Sequence, residues 1–286
     1  MLSSSQAIIA RTLKQFFGML FRFPQILATR KIIVNTLAQK RTAMDKIKQI
    51  TLAQLQIEAF DHRDFNESQV NDFIKLTNNN INNYIVDVGG GVGYFAQNLN
   101  DKTGASVRVI DSNLLSIEKV KKLENKNIEG IVGDALNPEI KGDESVICFN
   151  QILHHLIGSN ETETRMLQKQ ALLAWKNTNA SIFINEYIYE SFVSNLSGRL
   201  IYEITSNKFL SAIGAAIGRI IPSLKANTFG IGVRFRANDE WVKLFEECGF
   251  TVASMSYGEV EYISIPRRLL LIKQARRDSF LLVKSN

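Results

Sequence analysis

The sequence predicts an α/β domain: a doubly wound, mostly parallel seven-stranded sheet with an antiparallel strand at the C-terminus and a helical extension at the N-terminus. Three observations predict it. Short apolar runs alternate with segments of helical period from Tyr84 to Ile188, the rhythm of a parallel sheet covered on both faces. Four glycines fall within the five positions Gly89 to Gly93, straight after the first of those runs. Near Asn238 the rhythm changes to one helix followed by two strands.

The elements follow in order. Helical spacing covers Thr51 to Leu76, broken by Asp61 to Asn66, with Ser68 the expected cap of the second piece. An Asn-rich run, Asn78 to Asn83, reads as a loop. Strand one is Tyr84 to Val88, and a helix is expected over Val92 to Leu99. Strand two ends at Asp111, and a helix carrying Leu115, Ile117, Val120 and Leu123 follows. Strand three, IEGIV, leads into Gly133-Asp134, and strand four is SVICFN, 145 to 150. Asn160 with Glu163 forms a capping pair for a helix that runs through Leu167, Leu172 and Trp175. Strand five covers 181 to 188. Asn238 is the expected cap of a helix bearing Trp241, Leu244 and Phe245, with Gly249 at its C-terminal end. The strands FTVASMSY and SFLLVKS come last, joined through a basic connector, Arg267 to Arg277, and are expected to pair antiparallel at the sheet edge.

Composition bounds the rest. The 286 residues, 45% hydrophobic, suffice for one large domain over 51–286 with an extension over 1–50. The two cysteines lie far apart and form no C-x-x-C pair, which points to a reducing compartment and a cytoplasmic protein. Three histidines speak against a His-rich metal site, and no metal is expected. The net charge of +6 is concentrated in residues 1–44, which hold seven basic residues and no acid. The remaining chain is near neutral, which speaks against nucleic acid as partner of the domain itself.

The segment 1–44 interleaves Ile, Leu and Phe with Arg and Lys too closely for a membrane span. Three readings stay open for it: a basic amphipathic helix on an anionic membrane, an organellar transit peptide, or helices packed on the domain or on a second copy in a homodimer. A second basic and apolar segment is the insert at about 190–236, with five basic residues and no acid between Ile204 and Asn238. It reads either as a buried helix and connector or as a lid over a substrate pocket. Were both segments on one side, they would form an apolar, positively rimmed mouth for a small hydrophobic or aromatic acceptor.

A strand that runs into glycines and then a helix is a nucleotide signature, because glycine lets the backbone turn sharply and a ligand approach closely. Gly91-x-Gly93-x-x-Ala96, with Asp111 twenty residues on, fits a dinucleotide site. Asp87 argues otherwise: a carboxylate there would repel a pyrophosphate but attract a cation. Asp87-x-Gly89-x-Gly91-x-Gly93 resembles the first motif of class I S-adenosylmethionine-dependent methyltransferases. Asp111, Val132-Gly133-Asp134-Ala135 and Asn150-Gln151 resemble the later motifs, in order and each at a strand end.

The resemblance, over about Asn82 to Ile188 and again in the C-terminal tail, implies a Rossmann-like methyltransferase domain that uses S-adenosyl-L-methionine. It implies that Asp87, Gly89, Gly91 and Gly93 hold the methionine end, Asp111 the ribose and Asp134 the adenine, with Ala135 and Asn150 also binding the cofactor. NQILHHL, INEYIYE and RFRANDEWVKLFEECGF are similar to small-molecule O-methyltransferases. Those enzymes often carry a base histidine in the insert; here Arg234 and Arg236 stand in that neighbourhood and no histidine follows His155. The candidate bases are therefore His154 and His155, of which one can face a pocket, with Glu186, Tyr187, Tyr189 and Glu190 as other candidates. A methyltransferase-fold scaffold at a membrane, and an RNA methyltransferase using residues 1–44 as a basic arm, are the alternatives.

Overall fold

The structure is a computed structural model that describes residues 67–78, 81 and 83–285. The expected extension over 1–50 and the helical piece before Asp61 lie outside the described residues. The elements are α1 (Glu67–Thr77), β1 (Tyr84–Val88), α2 (Tyr94–Thr103), β2 (Val107–Asp111), α3 (Leu114–Lys121), β3 (Ile128–Val132) and β4 (Glu144–Asn150). After a 3₁₀ turn (Leu153–His155) come α4 (Glu161–Leu173), β5 (Ser181–Ser191), α5 (Leu196–Ser206) and α6 (Lys208–Ile220). A second 3₁₀ turn (Pro222–Leu224) precedes α7 (Asn238–Glu247), β6 (Phe250–Ser256), α8 (Ile265–Arg268) and β7 (Ile272–Lys284). No helix among the described residues is long and apolar enough to cross a membrane.

The sheet has seven strands in the order β3-β2-β1-β4-β5-β7-β6. Strands β1 to β5 pair parallel, and β7 lies antiparallel between β5 and β6. The order reverses between β1 and β4, so the crevice at their C-terminal ends is the place where ligands bind in such sheets. One face is sealed by Val70 and Phe73 of α1, Phe95 and Leu99 of α2, and Ile117 and Val120 of α3, against Ile85, Val109, Cys148 and Phe183 of the sheet. Phe73 meets Phe183 edge-on at 5.2 Å between centroids. Leu167 and Leu172 of α4 and Trp241, Leu244 and Phe245 of α7 are fully buried as well.

Several element ends differ from the expected ones. Ser68 lies inside the first turn of α1 instead of capping it. Helix α2 starts two residues late because Gly93, in the left-handed region, occupies its cap position. Asn160 does cap α4, accepting from Glu163 N–H at 2.9 Å, but the Glu163 carboxylate turns to Ser159. Ala237 takes the cap position of α7; Asn238 is its first residue and donates to Asp278 at 3.0 Å. The largest difference is β7, which includes half of the expected basic connector. Arg276 and Arg277 fit in a strand because each has a partner: Arg276 meets Asp278 and Glu190, and Arg277 donates to the Tyr187 hydroxyl.

The insert is helical, and its return is clamped by two buried arginines. Arg234 reaches Glu161 and Glu240, each at 2.8 Å. Arg236 reaches Glu161 at 2.9 Å and Gln168 at 2.7 and 2.8 Å. Burial, with Arg234 alongside, pulls Arg236 down to about 10. These residues therefore lock the insert onto α4 and α7, with no free group to act as a base. Removing one partner of such a buried pair leaves a charge uncompensated, so Arg236→Met is expected to cost about 3 kcal/mol in denaturant unfolding; an unchanged midpoint would refute the clamp.

Candidate active site

The turn after β1 is built around one carboxylate. Asp87 sits fully buried in β1, between Val109 and Cys148 of the neighbouring strands. Neither of its oxygens has a hydrogen-bond partner among the described residues. A Cβ on Gly90 would stand 2.3 Å from Asp87 Oδ2, so only glycine lets the chain pass over the carboxylate this closely. Gly91 has φ +56°, and a Cβ there would meet nothing within 4 Å. The turn thus presents open space above a buried, unpaired acid. Burial, reinforced by Asp111, pushes Asp87 up to about 7.

Asp111 closes the turn from the end of β2. Its Oδ2 accepts from Gly91 N–H at 3.0 Å and its Oδ1 from Asn113 N–H at 2.8 Å. Each oxygen keeps a further lone pair. Partial burial raises Asp111, while the two N–H bonds oppose the rise. Gly89 donates to Ile110 O at 2.7 Å, which ties the turn to β2. Gly93 caps α2, and Asp134 and Ala135 follow β3 in an exposed turn where Asp134 Oδ1 accepts from Leu136 N–H at 2.9 Å. Asn150 ends β4, and Gln151 after it has φ +58°.

The 3₁₀ turn beyond β4 meets the same crevice. Ile152 packs over Gly89, where a Cβ would stand 2.5 Å from its side chain. Two residues on, His154 is buried, and its Nδ1 lies 2.5 Å from Glu186 Oε2. The other oxygen, Glu186 Oε1, accepts from Leu153 N–H at 2.7 Å. A carboxylate takes an N–H from Nδ1, which leaves Nε2 as the lone-pair nitrogen. The ring neighbours Phe235 at 5.1 Å and Tyr187 at 6.3 Å. Arg234 N–H donates to His154 O at 3.0 Å, so the end of the insert also holds this turn. His155 is different: burial and the adjacent His154 hold it well below the ordinary histidine range, so it is neutral.

Glu186 is the residue that sequence spacing alone does not single out. It lies in β5 between Asn185 and Tyr187, and only the sheet order brings it against the turn after β4. Tyr187 and Tyr189 are engaged by arginines: Arg267 donates to the Tyr189 hydroxyl at 2.9 Å, and Arg277 lies over the Tyr187 ring at 4.6 Å. Burial raises both phenols, against the pull of those arginines. Cys148, next to Asp87 in the sheet, is held well above its ordinary value by burial, as befits a core residue.

The fold is the seven-stranded, Rossmann-like sheet of class I methyltransferases. No protein-family model matches the chain, and no curated protein matches it. Among solved structures it is similar to the MccD protein, with a TM-score of 0.51 at 17% identity over 77% of this chain and 97% of that one. It is also similar to a SAM-dependent methyltransferase from Thiobacillus denitrificans in complex with S-adenosyl-L-homocysteine, with a TM-score of 0.51 at 14% identity over 82% of this chain and 99% of that one. The [4+2]-cyclase SpnF shares the fold too, with a TM-score of 0.51 at 10% identity over 76% and 81%. A cyclase in this company means that the chemistry must be argued from the site.

Proposed function

We propose that this protein binds S-adenosyl-L-methionine and transfers its methyl group to an oxygen of a small, hydrophobic acceptor. The observation that carries this reading is Asp87, a buried carboxylate without a protein partner beneath an open glycine turn. An unpaired buried acid is costly, and a cationic ligand group relieves the cost. The ammonium at the methionine end is such a group. A pyrophosphate at the same place would be repelled, which disfavours a dinucleotide.

When bound, the cofactor supplies an electrophilic methyl group on sulfur. Asp87 with Gly89, Gly91 and Gly93 would hold its methionine end, Asp111 its ribose hydroxyls and Asp134 its adenine, with Ala135 and Asn150 as further cofactor contacts. An oxygen acceptor must lose its proton as the new bond forms. His154 Nε2 takes that proton, and Glu186 holds the opposite Nδ1–H and stabilises the imidazolium. Phe235 and Tyr187 beside His154 offer apolar and aromatic surface to the acceptor.

Titration calorimetry tests the cofactor part of this reading, with NADH as the control. Micromolar binding of S-adenosyl-L-methionine alone is expected. Asp111→Ala is expected to weaken it about tenfold or more, through loss of a charged hydrogen-bond partner. Unchanged affinity in that variant would remove Asp111 from the ribose contact.

A further inference from the structure

Helix α6 is built inside out. Ser211 and Gly218 are buried, and Gly214 and Ala215 lie on the same side, partly covered. A Cβ on Gly214 would stand 2.6 Å from the Phe229 ring, and one on Gly218 would stand 3.1 Å from Lys225 Cα. Small residues therefore seat the helix closely on its own protein. The large apolar residues turn outward: Phe209 is 72% exposed, Ile213 43%, Ile217 41% and Ile220 83%. Their spacings of four, four and three put them along one helix face. The 3₁₀ turn after α6 lies beside α8, where Ile265 is 76% exposed, and Leu269 just past its end is 77% exposed. Single exposed apolar residues are ordinary; a row of four along one helix face, with two more exposed nearby, marks a contact surface.

The charge around this face selects its partner. Lys208, Arg219, Lys225 and Arg268 are all exposed, and no acid occurs from Ile204 to Asn238 or from Ile263 to Leu271. A symmetric contact with a second copy would set this face against itself, with Lys208, Arg219, Lys225 and Arg268 opposing their own copies and only the flanking Glu203 and Glu261 as acids. An anionic lipid surface meets both features. We propose that α6 and α8 dock this protein on anionic membranes, with the apolar face at the acyl boundary and the basic side chains at lipid phosphates.

The test uses the full chain with Phe209→Trp as a reporter, since the native Trp175 and Trp241 are buried, 1% and 0% exposed. With vesicles of phosphatidylcholine and phosphatidylglycerol, the new emission is expected to shift blue and to be quenched by brominated acyl chains. Partition is expected to fall about tenfold or more in pure phosphatidylcholine. A similar loss, about tenfold, is expected for Phe209→Ser/Ile220→Ser, which removes buried apolar area at two surface positions. Arg219→Glu, which leaves the apolar face intact, should weaken binding to phosphatidylglycerol only. The proposal is overturned if the protein sediments with vesicles while the reporter stays unshifted, because another segment then binds. It is equally overturned by no sedimentation, or by a blue shift that grows with protein concentration without lipid, which would identify a second copy.

Discussion

Asp87→Asn is expected to weaken S-adenosyl-L-methionine binding about a hundredfold while raising the melting temperature of the ligand-free protein at pH 8. Both effects have one cause. Asp87 moves from 3.8 when unfolded to about 7 in the fold. Below the unfolded value the carboxyl is protonated in both states and adds no charge penalty. As pH rises toward about 7, the unfolded chain releases the proton and the fold retains it, so stability falls. Above that the folded protein carries a buried, unpaired charge, a penalty on the order of 4 kcal/mol. Asparagine removes the charge at every pH, so the stability gap between the two proteins should open between pH 4 and pH 7 and stay constant above. The same charge is what a cationic ligand would meet, and losing one buried charged hydrogen-bond partner costs about 2–3 kcal/mol of binding. Thermal unfolding across this pH range, with calorimetry alongside, checks both. A variant that lost binding and was also less stable at pH 8 would show Asp87 to be a structural residue.

His154→Ala is expected to lower kcat of methyl transfer by about 10²–10⁴-fold, the usual contribution of a positioned general base, with cofactor affinity unchanged. Glu186→Gln should fall in the same direction for a different reason. The amide can donate to Nδ1, which places the proton on Nε2, the nitrogen that must accept. Measured after circular dichroism has confirmed folding, a kcat loss in Glu186→Gln without loss of cofactor binding separates ring orientation from cofactor support. Retained kcat in His154→Ala would sink the proton-transfer role and with it the case for oxygen as acceptor. His155 is partly buried, with burial and His154 holding it below the ordinary histidine range, so its substitution should act on stability first.

The parts legible in the sequence are those whose physics is local. Strands β1 to β5 announce themselves by apolar runs at regular spacing, and the turn at Gly89 to Gly93 by glycines that only a close approach requires. Asp87 was legible for the same reason, standing two residues before the first glycine. The N-terminal half of β7 was not, because Arg276 and Arg277 break the apolar alternation and are accommodated only by Glu190, Asp278 and Tyr187 from elsewhere. Arg234 and Arg236 stand in sequence where related enzymes often carry a base histidine, which says nothing of what they do here. Their burial against Glu161, Gln168 and Glu240 depends on residues from α4 and α7 that no spacing rule connects.

By itself, then, the sequence determined the α/β class, the order of its strands and helices along the chain, and a glycine turn that follows a carboxylate-bearing strand, since backbone freedom and apolar period are written residue by residue. The tertiary structure alone decided that Asp87 is unpaired, that the Glu186 carboxylate meets the His154 ring, and that α6 turns its large side chains to water. The physical reason is that burial and pairing belong to neighbours across the sheet, and a residue's neighbours exist only once the chain has folded.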